Sequence, residues 1–198
     1  MPSTLTAATV AQVVKNETAF HHQEVEQILL PRLNAIRSLE DYATILQMFY
    51  GYYLPLEKII QQHISAPILP DIEIRRTAVM VVDDLNYLQI LPDQKFCSDL
   101  PKVSDTAQAF GALYVLEGST LGGKMIAKML EKNKAVSIPP DALNFFNGYK
   151  ENTGKMWTAF VDVLNQQPDI DSIVSAANET FLHLKKWMQQ GHYNGTKN

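Results

Sequence analysis

Cysteine is all but missing from this chain: Cys97 stands alone among 198 residues. That excludes an internal disulfide and any cysteine-built zinc or iron–sulfur site, and a lone thiol fits a reducing cytoplasm, the compartment expected here. Long basic runs are missing too, and the formal net charge is −4, which argues against a nucleic-acid or polybasic membrane footprint. No apolar stretch approaches bilayer length, and no charged segment leads an apolar run at the N-terminus. Neither a membrane anchor nor a secretion signal is therefore expected. Strict apolar–polar alternation, the usual strand signal, is absent, and nothing recurs at fixed period.

What remains is helical periodicity. Hydrophobic residues make up 46% and charged residues 19%, enough for a globular core, and the expectation is an all-α bundle forming one domain over residues 1–198. The first helix is read from Thr6 to Leu30, closed by Pro31. Ser38-Leu39-Glu40-Asp41 is a capping-box-like start for the second, which Pro55 should bend. Asp71 opens a third pattern through Leu88, and Gln89 to Val103 is loop. Ser104 or Asp105 caps a fourth helix through Leu130. Pro139-Pro140 opens a fifth, interrupted near Gly154, and Asp169 or Asp171 caps a sixth that ends before Gly191.

Two stretches carry chemistry. In the first helix, Thr18, His22 and Glu26 stack one turn apart, with Lys15 about two turns before His22. A histidine with a carboxylate one turn below it has the pattern of a metal ligand and its orienting partner. A packed or solvated histidine is the commoner reading of such a residue. His21 sits about 100° around the helix and keeps neither spacing, which gives it a structural or solvated role.

In the fourth helix, Gly111, Gly118 and Gly122 share a face, and Gly123 adds a further gap. Each costs about 0.5–1 kcal/mol relative to alanine in a helix interior. Close helix packing explains such a stripe, and so does a face on which a flat ligand lies; at this point both stand. Gly118 to Lys124 begins like a phosphate-binding loop, but Met125 replaces the hydroxyl that holds magnesium and no strand precedes it. Di-iron bundles need Glu-x-x-His, whereas Glu17–His21 and Glu179–His183 are four apart.

Lys15, Thr18, His22 and Glu26, followed much later by Phe110-Gly-Ala-Leu-Tyr-Val-Leu-Glu-Gly-Ser-Thr-Leu-Gly-Gly123, resemble heme oxygenase, and most closely its bacteriophytochrome-associated bacterial branch. Tyr53-Leu-Pro-Leu-Glu57, Arg75-Arg76 with Asp84, Trp157 with Phe160, and Phe181 with Trp187 extend the likeness along the chain. The resemblance implies a heme-oxygenase-like bundle holding heme between the first helix and a kinked, glycine-rich distal helix. Heme, at once cofactor and substrate, would be opened by dioxygen and electrons to biliverdin, ferrous iron and carbon monoxide. It also implies an external electron donor such as a ferredoxin or reductase, and a bacteriophytochrome as bilin acceptor.

By the same resemblance His22 is the iron ligand, and Glu26 hydrogen-bonds its other ring nitrogen. Thr18 and Tyr114 line the cofactor, Lys15 and Lys185 meet its propionates, and Lys124 and Lys186 are secondary candidates for that contact. Gly118, Ser119, Gly122 and Gly123 form the catalytic face, with Ser119 where animal enzymes carry an aspartate. Arg75 and Arg76 are expected to pair with carboxylates such as Asp84. A heme carrier or sensor without turnover is the alternative, and a heme-free relative ranks last.

Overall fold

The computed structural model describes residues 8–190; the expected start at Thr6 and the stop at Gly191 lie outside them. Thr9 opens α1 (Val10–Asn34) with a reciprocal cap to Gln12, satisfying amide donors that the first turn leaves without partners. Val10, Val14, Thr18, Val25, Leu29 and Leu33 turn inward at helical spacing. Pro31 does not close this helix. Its ring removes its own donor, but its carbonyl still accepts from the Ala35 amide at 3.0 Å, so one more turn forms.

Ser38 and Asp41 cap α2 (Leu39–Ile60), which carries Pro55 inside it. The third helix starts later than its periodicity suggests. After a 3-10 turn at Ile72–Ile74, Arg75 is extended, and α3 spans only Val79–Tyr87. Arg75 and Arg76 are buried there, and their polar partners outweigh local helix preference.

Asp105 caps α4 (Thr106–Glu131), which runs unbroken through its glycines. A single turn, α5 (Asn144–Asn147), precedes α6 (Thr153–Leu164). The interruption lies at Gly148, whose φ of 52° is costly for residues with a Cβ. Gly154, where the break was expected, sits inside α6. Asp169 caps α7 (Ile170–Gln189). No strand occurs among the described residues.

Helix α7 is the spine, and α1, α2 and α4 all pack along it. Directions follow from side-chain bonds. The Tyr52 hydroxyl donates to the Thr180 carbonyl and the Trp187 indole to that of Met48, so α2 runs against α7. Tyr53 reaches Ser119, and Thr106 reaches the carbonyl of His63 just beyond α2, so α2 also runs against α4. Glu24 pairs with Lys185, and Arg32 binds the Met188 carbonyl, so α1 runs with α7. Helices α1, α4 and α7 are therefore parallel.

Candidate active site

Parallel helices on a common spine have a readable register. The Asn133 amide donates to the Ile36 carbonyl, each two residues past the end of its helix. His22 lies fourteen residues before Ile36, and Ser119 fourteen before Asn133.

Along α4 the space beside the glycines opens progressively. A Cβ on Gly111 would collide with the Ile173 carbonyl of α7, but one on Gly122, three turns along the same face, would meet nothing within 4 Å. Gly118 lies between these extremes: a Cβ there would only touch Trp157, 3.8 Å away. Leu121 and Met125 share the face of Gly118 and Gly122, and both are exposed.

The α1 side offers an imidazole. His22 stands edge-on to Phe181 of α7, ring centroids 5.6 Å apart, and its side chain is 56% exposed. Its Nε2 lies 3.7 Å from the Glu26 carboxylate, an ionic distance beyond a direct hydrogen bond. In this arrangement it is Nε2, not Nδ1, that faces Glu26. His21 is engaged elsewhere, its Nδ1 2.9 Å from Glu24.

The other named residues divide. Lys15 is exposed on α1. Thr18 is buried and donates to the Val14 carbonyl. Tyr114 packs its ring on Trp157, and burial raises its hydroxyl pKa. Lys185 is held by both oxygens of Glu24 at 2.9 Å. That bond, then His21, keeps the Glu24 carboxyl below its ordinary range. Lys186 reaches toward Asp99 instead, and Lys124 is exposed.

Gly123 and Ser119 serve the back of α4 rather than its open face. A Cβ on Gly123 would strike the Phe146 carbonyl. The Ser119 hydroxyl donates to the Leu116 carbonyl at 2.7 Å and accepts from Arg76 at 2.7 Å and Tyr53 at 3.1 Å.

Sequence reading missed this buried network. Arg75 pairs with Glu117 at 2.7 Å and Asp71 at 2.8 Å, and Tyr149 donates to Glu117. Asp84 is not the partner of either arginine. It accepts from the Asn144 and Phe145 amides, and burial raises its carboxyl to about 6. Burial also pushes Glu117 above the usual carboxylate range, opposed by Arg75 and Arg76. One signal was available: Glu117 sits in the otherwise apolar run from Phe110 to Leu116, and a buried carboxylate requires a cation.

The heme oxygenase family model matches residues 8–190. The chain belongs to the heme oxygenase family. It is 29% identical over 128 residues to a heme oxygenase of Xanthomonas campestris pv. campestris, spanning 65% of this chain and 74% of that relative. The fold resembles that of the NO- and CO-bound heme oxygenase from Neisseria meningitidis, with a TM-score of 0.76, 23% identity and coverage of 97% and 96% of the two chains. The residues present suit the family's macrocycle: an exposed imidazole with Phe181 beside it, and a bare strip of α4 backbone with open space at Gly122. No helix among the described residues is long and apolar enough to cross a membrane.

Proposed function

We propose that this member of the heme oxygenase family binds heme between α1 and α4 and degrades it to biliverdin, ferrous iron and carbon monoxide. Dioxygen and an external electron donor, such as a ferredoxin or reductase, are the other reactants. The observation that carries this reading is the bare stretch of α4 at Gly122, where a Cβ would meet nothing within 4 Å, in a chain that also presents an exposed imidazole at His22 of α1. A flat macrocycle fits where one wall has lost its side chains and the other presents an imidazole.

In this reading His22 is the iron ligand and Glu26 orients it, since a carboxylate one turn away fixes the tautomer and raises ligand basicity. When bound, heme supplies the iron centre at which dioxygen is activated and the ring edge that is cleaved. The chain supplies everything around it. Gly118 and Gly122 would let the backbone come close to it and leave room for water rather than an acidic side chain. A strong distal acid would favour O–O scission over attack on the ring. Exposed Lys15 meets a propionate, while Thr18 and Tyr114 shape the walls through Val14 and Trp157.

The Phe110–Gly123 segment, with serine at 119, supports placement in the bacteriophytochrome-associated branch, with a bacteriophytochrome as acceptor of the bilin. The unpaired, buried Cys97 agrees with a cytoplasmic setting.

Adding hemin and then reductant to the purified protein should produce a Soret band that decays as a bilin appears. His22→Ala should slow bilin formation at least about hundredfold while leaving helix content unchanged. A stable complex that never yields bilin would identify a heme carrier. Unimpaired turnover by His22→Ala would remove His22 from the ligand role.

A further inference from the structure

Behind the open face of α4, Arg76 is buried without a carboxylate in contact with its guanidinium. It lies between two rings, 4.6 Å from the Phe145 centroid and 5.4 Å from that of Tyr53. Its Nη2 donates to the Leu116 carbonyl at 2.6 Å and to the Ser119 hydroxyl at 2.7 Å. Its backbone amide donates to the Tyr149 hydroxyl, and its buried Nε has no partner.

Ser119 in turn has nothing left to give. A hydroxyl has one donor and two acceptor sites, and Leu116, Arg76 and Tyr53 use all three. One residue on, the Thr120 hydroxyl donates to the Glu117 carbonyl. Two successive carbonyls of α4 are thus gripped by side chains, in the turn that presents Gly118 and leads to Gly122.

We infer that Arg76 is a positioning residue that fixes how far the glycine face stands from the substrate, and so which ring edge stays open to attack. The inference rests on the heme oxygenase reading and adds a determinant of regiospecificity to it. Glycines bring no side chains with which to anchor their own segment against a ligand, so the hold on that segment comes from the opposite side. Glu57 and Glu117 act on this cation from a distance, but its direct contacts are a carbonyl, a hydroxyl and two rings, and holding it buried on these alone is expensive. The same grip from a shorter, non-planar lysine would lose the simultaneous reach to Leu116 and Ser119. Ser119 is then a strut between Arg76 and α4, not a proton donor to the groove.

The test uses Arg76→Lys, Arg76→Met and Ser119→Ala in the full chain. In the hemin-free protein, amides of residues 118–124 should exchange with solvent at least about tenfold faster in Arg76→Lys than in the parent, with α1 unchanged. With hemin and reductant, the parent should give one dominant bilin isomer and Arg76→Lys a mixture, with hemin affinity within about threefold of the parent. Ser119→Ala should move both readouts the same way, by less. If Arg76→Met fails to fold, Arg76→Lys and Ser119→Ala decide. Unchanged exchange together with an unchanged isomer ratio would overturn the positioning role. A parent that makes no bilin would instead overturn the functional reading, while the exchange data would still show whether Arg76 holds α4.

Discussion

Two regions of α4 carry the same residue for opposite reasons. Gly111 and Gly123 are glycine because the carbonyls of Ile173 and Phe146 occupy the space a Cβ needs. Gly122 is glycine where nothing stands opposite, and Gly118 where only the edge of Trp157 does. The first pair lets elements approach and so contributes to stability. The second pair costs about 0.5–1 kcal/mol per residue in helix propensity and returns nothing to the bundle. Such a cost within a stripe marks the part of it that function occupies.

Filling a packed position should do the most damage. Gly111→Val forces α7 away from α4 and should cost more than about 3 kcal/mol, lowering the melting temperature by about 10 °C. A melting curve within 2 °C of the parent would erase the distinction between packed and open glycines. Next comes the buried pair behind α4. Arg75→Met leaves Glu117 without its ion-pair partner and should cost about 3–5 kcal/mol, read by urea denaturation. Adding Glu117→Gln should recover part of that loss.

Gly122→Ala should act in the other sense, raising stability by about 0.5–1 kcal/mol. Its methyl group enters the open space, so hemin affinity should fall about tenfold in a spectral titration. Stability and affinity falling together would mean that this face is packed after all.

The smallest effect concerns pH. Burial raises the Glu57 carboxyl to about 7, Glu117 adds to that, and Arg76 and the Ala78 amide oppose it. The folded protein thus binds a proton that the unfolded chain, near 4.5, has released. Stability from this group is complete below about pH 4.5 and is lost as pH rises through about 7. The melting temperature should fall over that range. Glu57→Gln should flatten the slope, whereas an unaltered slope would place the titration elsewhere.

Much of this was legible in the chain itself. Ser38, Asp105 and Asp169 announce helix starts because a cap needs only a short polar side chain and the amides two or three residues on. The spacing of Thr18, His22 and Glu26, and of Gly111, Gly118 and Gly122, follows from helical geometry alone. What escaped depends on elements distant in sequence. Whether a glycine is packed or open is decided by what α7 and Phe146 place opposite it. Asp71 did not open a helix because Arg75 turns into Glu117, 42 residues away. Arg76 was sent to Asp84 because charge alone nominates a carboxylate, while the fold gives it a carbonyl, a hydroxyl and two rings.

Lys185 illustrates how a charge in the right place can still add little to binding. Its ammonium is already satisfied by both oxygens of Glu24, and Glu24 is tethered to His21. A propionate arriving there would exchange one carboxylate for another, a swap whose enthalpy nearly cancels and whose main product is a released Glu24 side chain. Affinity for an anionic substrate should then come chiefly from exposed Lys15, leaving Lys185 to set orientation once exchange has taken place.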